Sequence, residues 1–211
     1  MTGLRIAMLS NPLSQRNRAG MAAIEEVVAG RPDIRHVQFE PGMDLQALMA
    51  ELAATGTDLL ILNSGDGLVH GVLGALFLGG AFPTPPPLAL LPRGMTNMTA
   101  ADVGVGGRDA HTLRRLLAML DRGELAQHLV RRNVLKVDYD PGRPGERGMF
   151  FGAAGIYDGI HLCTGSIHTR GLTGSWASTS TILAILGRVL LRGVEATGIG
   201  GDEIAGSVDG G

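Results

Sequence analysis

The chain has 211 residues, 45% of them hydrophobic, and a formal charge of −2. That apolar content suits a packed core and excludes a disordered chain, while the near-neutral charge gives no global attraction to nucleic acid, so a bound anion must be held by local geometry. A single cysteine, Cys163, cannot close an internal disulfide, and no stretch approaches the ~20 apolar residues of a membrane span. A cytoplasmic protein with at most peripheral membrane association is expected.

In chain order, LRIAML (residues 4–9) reads as a buried strand. Met21, Ile24 and Val28 then recur at helical spacing before Gly30. IRHVQF (34–39) is again strand-like, and Asp44 is a plausible N-cap for a helix carrying Leu45, Leu48, Met49 and Leu52, ended by Gly56. DLLILN is a third strand. Val69, Val72, Leu73 and Leu76 repeat the helical template, and a proline-rich loop leads to a fourth strand over 88–91. A further helix follows Asp109, with Leu113, Leu116, Leu117 and Leu120 on one face. Alternating helices and wholly apolar strands predict an α/β fold with a parallel sheet covered on both faces.

From about residue 128 the texture changes. RRNVLKVDYD and GMFFGAAGIYDGIHLCT are strand-like runs joined by PGRPGERG, a turn of hairpin type, so a second, β-rich domain is expected over 128–211. Residues 180–193 read as a core helix, and EIAGSVDG near the end as a strand and turn. His36, His111, His128, His161 and His168 have no acidic or cysteine partners at ligand spacing, so no metal site is expected from the protein's own side chains.

The third strand ends in NSGDG, with Asp66 held between Gly65 and Gly67 where a strand hands over to a helix. In a parallel α/β sheet ligands bind beyond the carboxyl ends of the strands, and glycines followed by a helix N-terminus suit a phosphate. A carboxylate beside phosphate costs Coulomb energy unless a proton or a cation compensates it. Asp66 therefore reads as a general base, as a group acting through Mg²⁺, or simply as the cap of its own helix, worth about 1 kcal/mol. Two further polar loops end neighbouring strands: SNPLSQRNRAG with Asn11, Ser14, Arg16 and Arg18, and PRGMTNMTAADVG with Thr96 and Asn97. Amide, hydroxyl and guanidinium groups together suit a nucleotide and its phosphates.

In this order the three segments resemble the diacylglycerol kinase catalytic domain superfamily, which includes sphingosine kinases and bacterial lipid kinases. Its NPxSG, GGDGT and PxGTxNDFA patterns correspond here to Asn11-Pro12-Leu13-Ser14, Ser64-Gly65-Asp66-Gly67-Leu68 and Pro92 to Ala100. SGDGL followed by His70 is most similar to the sphingosine kinase branch. The resemblance implies an NAD-kinase-like parallel-sheet domain over 1–127 and a β-sandwich domain over 128–211, expected to be incomplete, that accepts the lipid. It implies ATP and Mg²⁺ as cofactors, Asp66 as the catalytic base toward a lipid hydroxyl, and a nucleotide pocket lined by Asn11, Ser14, Arg16, Ser64, Gly65, Gly67, Gly94, Thr96 and Asn97. Asp158, in AAGIYDGI, would contact the substrate headgroup. The expected partner is a lipid substrate at a membrane surface, with no nucleic acid and a homodimer left open.

Gln15 departs from the family glycine, Met95 from its Thr or Ser, and Met98 from its Asp. Two lost polar contacts to a charged ligand cost about 3 to 6 kcal/mol. Two other readings therefore stand beside the lipid kinase: a kinase of a soluble hydroxyl compound, and a noncatalytic nucleotide- or lipid-binding protein.

Overall fold

The computed structural model describes residues 3–107, 109–138, 142 and 145–150, which belong to a compact unit, Met1–Phe150. Four strands, β1 (Ile6–Ser10), β2 (Ile34–Gln38), β3 (Leu59–Ser64) and β4 (Leu88–Pro92), form one parallel sheet in the order β2-β1-β3-β4. Every residue of β1 and β3 is buried, as expected of central strands that read as unbroken apolar runs.

Side chains alternate between the two faces of the sheet. Ala7, Leu9, Leu60 and Leu62 meet α2 (Leu45–Ala54) and α3 (Asp66–Gly79) through Leu48, Met49, Leu52, Val72, Leu73 and Leu76. Ile6, Met8, Leu59 and Ile61 meet α1 (Asn17–Ala29) and α5 (Ala110–Asp121) through Ile24, Val28, Leu113, Leu117 and Leu120. Each such Leu or Ile contributes roughly 1.5–3 kcal/mol through removal from water. The α/β parallel-sheet reading is therefore the observed architecture.

Helix ends follow local chemistry. Asp44 accepts from the backbone N–H groups of Gln46 and Ala47, and Asp109 from that of His111, so both expected caps are in place. Gly56 and Gly123 take the left-handed conformation just after α2 and α5.

The first strand begins at Ile6 and runs to Ser10, whereas the apolar run starts at Leu4. Its extent is decided by pairing, since Ser10 sits opposite both Gln38 and Asn63. Among the described residues the run after residue 128 is strand at β5 (Leu135–Val137), which pairs antiparallel with β6 (Glu146–Gly148), so the partner strand occupies the end of the stretch PGRPGERG that was expected to be turn. Asp158, Cys163, residues 180–193 and the terminal strand and turn lie outside the described residues, as does most of the expected β-rich domain. Among the described residues no helix is long and apolar enough to cross a membrane.

This topology places the site. From β1 the chain turns to α1 on one face, and from β3 to α3 on the other, although β1 and β3 are neighbours. The helices that follow them leave on opposite faces, which opens a crevice at the carboxyl edge of the sheet.

Replacing Asp44 with Ala should cost about 1 kcal/mol through loss of the α2 cap, read as a lower urea midpoint with an unchanged slope.

Candidate functional site

At that edge the carbonyls of Asn63, one residue before the end of β3, and of Asn11, the first residue after β1, need donors. Asn17, at the start of α1 and 0% exposed, supplies them: its Nδ2 donates to the carbonyls of Asn11 at 2.7 Å and Asn63 at 2.9 Å. The Asn17 Oδ1 in turn accepts from Arg93 Nε at 2.7 Å. Arg93 is only 3% exposed, and burial, together with the nearby Arg16 guanidinium, lowers its pKa against the opposing pull of Asp109. Arg16 is also fastened to the β4 loop: its backbone N–H donates to the Arg93 carbonyl and its Nη1 to the Pro92 carbonyl, both at 3.0 Å.

A second polar chain lies beneath the crevice. Asn63 Nδ2 donates to Ser10 Oγ at 2.9 Å, and Ser10 Oγ lies 2.8 Å from His36 Nε2 on β2. Burial lowers the His36 pKa, with Glu25 pulling the other way, so a neutral imidazole that accepts from the Ser10 hydroxyl fits this chain.

The loops after β3 and β4 touch through glycine. A Cβ on Gly94 would lie 2.5 Å from Gly65 Cα, and one on Gly65 would lie 2.9 Å from Gly94 Cα. These two glycines are required by backbone packing against each other. Gly67 differs: a Cβ there meets nothing within 4 Å, and the residue is exposed, so of the three it is the one open to a ligand.

Asp66 joins the same two loops. Its Oδ2 accepts from Thr96 Oγ1 and from the Met98 backbone N–H, and its Oδ1 from the Thr99 backbone N–H, each at 3.0 Å. Met98 opens α4 (Met98–Asp102), so Asp66 caps that helix, 32 residues on in the chain, and not its own. The N-cap of α3 is Gly65, without a side-chain hydrogen bond. Partial burial alone would raise the Asp66 pKa, but the Thr99 and Met98 amides and the Thr96 and Thr99 hydroxyls outweigh it and hold the carboxyl below its usual range. Asp66 is therefore ionised at neutral pH, and it remains partly open to solvent.

The expected site residues divide by position. Asn11, Arg16, Gly65, Asp66, Gly67 and Thr96 stand at least partly open at the carboxyl edge, whereas Ser14, Ser64, Gly94 and Asn97 are buried. Asn97 takes the left-handed conformation and spends its amide on its own loop, accepting from the Gly94 N–H at 2.7 Å and donating to the Gly94 carbonyl at 2.9 Å. The Ser14 carbonyl accepts from the N–H groups of Asn17 and Arg18. Met98 contributes a backbone N–H, and its side chain is 50% exposed.

Asn17, Asn63 and Arg93, which carry the loop contacts, were not singled out in the sequence reading. Their only sequence signal is polarity at positions where strand and helix periods call for burial. An apolar cavity of about 390 Å³ lies elsewhere, along β4 and the start of α5, and holds none of the expected site residues.

A doubly wound parallel sheet with three interlocked polar loops at its β1/β3 switch point defines an α/β domain with its site at the strands' carboxyl edge. Residues 5–131, more than half of the chain, match the diacylglycerol kinase catalytic domain, and the chain belongs to that family. Among solved structures it is similar to a diacylglycerol kinase from Bacillus anthracis str. Sterne, at 21% identity over 54% of this chain and 39% of that one, with a TM-score of 0.45. A second diacylglycerol-kinase-type structure from the same organism gives 22%, 56%, 40% and 0.47. The chain thus spans about two fifths of the length of these proteins. No curated protein matches it.

Two outcomes follow. Gly94→Ala should destabilise the protein by about 1–3 kcal/mol in thermal melts, because the new methyl meets backbone, while Gly67→Ala should leave stability unchanged or slightly raised. Asp66→Ala should cost about 1–3 kcal/mol at neutral pH. Since the folded-state pKa is depressed, that difference persists above the ordinary value of 3.8 and shrinks as the pH falls through the lower folded value, which paired acid titrations would read.

Proposed function

We propose that this chain carries the nucleotide-binding half of an ATP-dependent lipid kinase, transferring the γ-phosphate to a hydroxyl of a diacylglycerol- or sphingosine-like lipid. The observation that carries this reading is that the three family loops meet at the carboxyl edge of the sheet, those after β3 and β4 through Gly65, Gly94 and Asp66, and those after β1 and β4 through Arg16, Asn17 and Arg93. Membership of the diacylglycerol kinase catalytic domain family supports it.

The residues fit the group that the reaction requires. Exposed Gly67 at the start of α3 leaves backbone open to phosphate, Arg16 offers a guanidinium beside the loop after β1, and Asn11 and Thr96 offer polar atoms at the same edge. Asp66, ionised and partly open at this edge, would be the carboxylate that meets a Mg²⁺ brought in by the phosphates. Bound, that cation would neutralise phosphate charge during transfer. Asp66, kept ionised, fixes the start of α4 against α3 and so sets the spacing of the loops on either side of the nucleotide. The acceptor lipid is assigned to the β-rich domain, with Asp158 as a headgroup contact, and the protein works at a membrane surface.

The test is phosphate transfer from radiolabelled ATP by the full chain, offered diacylglycerol and long-chain amino alcohols in mixed micelles beside soluble alcohols. Labelled lipid is expected with Mg²⁺ and none without it, and Asp66→Asn should abolish labelling. Labelling of soluble alcohols alone would overturn the lipid assignment. An ATP- and Mg²⁺-dependent rise in melting temperature with no labelled product would replace the kinase by a nucleotide-binding protein.

A further inference from the structure

Beneath the crevice a row of polar side chains crosses the sheet at positions where a covered face calls for hydrophobes. His36 on β2, Ser10 on β1 and Asn63 on β3 lie on the same face, Ser10 and Asn63 at 0% exposure and His36 partly open to solvent. His36 Nε2 lies 2.8 Å from Ser10 Oγ. Asn63 Nδ2 donates to the same oxygen at 2.9 Å and lies 3.8 Å from Met21 Sδ. Asn63 Oδ1 is buried and has no hydrogen-bond partner, and among the described residues no other buried side-chain nitrogen or oxygen is left so.

A hydroxyl has one hydrogen to give and room to accept two. That single hydrogen fixes the direction of the whole row. While His36 Nε2 is unprotonated, the Ser10 hydroxyl donates to it, and Asn63 must offer Ser10 an N–H. Its carbonyl oxygen is then turned away, which is the observed arrangement, orphaned atom included. Once Nε2 carries a hydrogen, it donates to Ser10 Oγ, and the Ser10 hydrogen loses its acceptor. Two buried groups, that hydroxyl and Asn63 Oδ1, are then unpaired, and a half turn of the Asn63 amide joins them. The two ends of the amide are alike in size, so the turn needs little repacking. It leaves one unpaired group, the displaced NH₂, in place of two.

The inner end of the row meets the site. The Asn63 main-chain carbonyl takes the Asn11 N–H at 3.0 Å and the Asn17 amide at 2.9 Å, and so anchors the loop after β1. A side-chain amide that turns at Asn63 reverses a dipole beside both bonds.

We propose that His36, Ser10 and Asn63 form a pH-sensitive relay, in which proton uptake on β2 turns the Asn63 amide and resets the anchorage of the loop after β1. The relay is independent of the kinase reading above. Burial opposes the proton and keeps the His36 pKa below its ordinary 6.5, while Glu25, which faces the ring from α1 and is held by Gln38 Nε2 at 2.8 Å, pulls the other way. From β1 the ring meets Met8 and Ser10, which do not titrate in this range, and Arg35 on β2 points to the opposite face, where it pairs with Glu51 of α2. The row is therefore set one way at neutral pH and the other way in acid.

The test is an NMR titration of the ¹⁵N-labelled full chain from about pH 8 down to about pH 5, following the His36 ring nitrogens, the Asn63 and Asn17 side-chain amides and the Asn11 backbone amide. All are expected to shift with one midpoint, below 6.5. In Ser10→Ala the ring should still titrate while the three asparagine signals stay in place, and in His36→Phe those signals should not move over this range. An Asn63 amide that stays in place while His36 titrates, or that follows pH in either variant as it does in the wild type, overturns the relay. So does a ring that remains neutral down to about pH 5 in the folded protein. Movement of Asn63 with Asn11 and Asn17 unshifted overturns the link to the loop. Because the midpoints are compared within the wild-type chain, the outcome stands even where a variant fails to fold.

Discussion

Two central strands are buried along their whole length, so the backbone carbonyls at their carboxyl ends must find donors, and those of Asn63 and Ser64 on β3 find them in the loops after β1 and β4. The Asn63 carbonyl takes the Asn11 N–H and the Asn17 amide, and Asn17 is itself fixed by Arg93 from the loop after β4. Leaving one such buried group without a partner costs about 1–3 kcal/mol, so each loop is held in place by a deficit in its neighbour. Burial of β1 and β3 thus does more than form the core. It obliges the loops after β1, β3 and β4 to meet.

Electrostatics sharpen the arrangement. Arg16 and Arg93 bring two guanidinium groups to one side of the crevice, and Asp66 brings a carboxylate that backbone amides keep ionised. Arg16 holds the Pro92 carbonyl and Arg93 the Asn17 side chain, so both cations also fasten the loop after β4 to the loop after β1.

The α/β fold was legible because its signals are local. Wholly apolar runs at β1 and β3, helical spacing in α2, α3 and α5, and Asp44 and Asp109 at helix starts all act within a few residues, and each element forms where they place it. The site was legible only as a set of loops. That Asp66 caps α4 depends on contacts across 32 residues, and that Gly65 and Gly94 are glycines for each other's sake depends on loop packing. Neither leaves a periodic trace. Met98 was read as a lost polar contact because a side chain is all that a sequence displays, whereas its contribution to Asp66 comes from the backbone N–H, which any residue but proline would supply.

Asp66 is the first residue of α3 and also fastens the first turn of α4, so one side chain acts as a pin through two rods. Rods joined at a pin cannot spread there; they can only swing together. A ligand pressing on either loop would shift both as one jaw, and the loop after β1, tied to Pro92 and Arg93, would be drawn along with them.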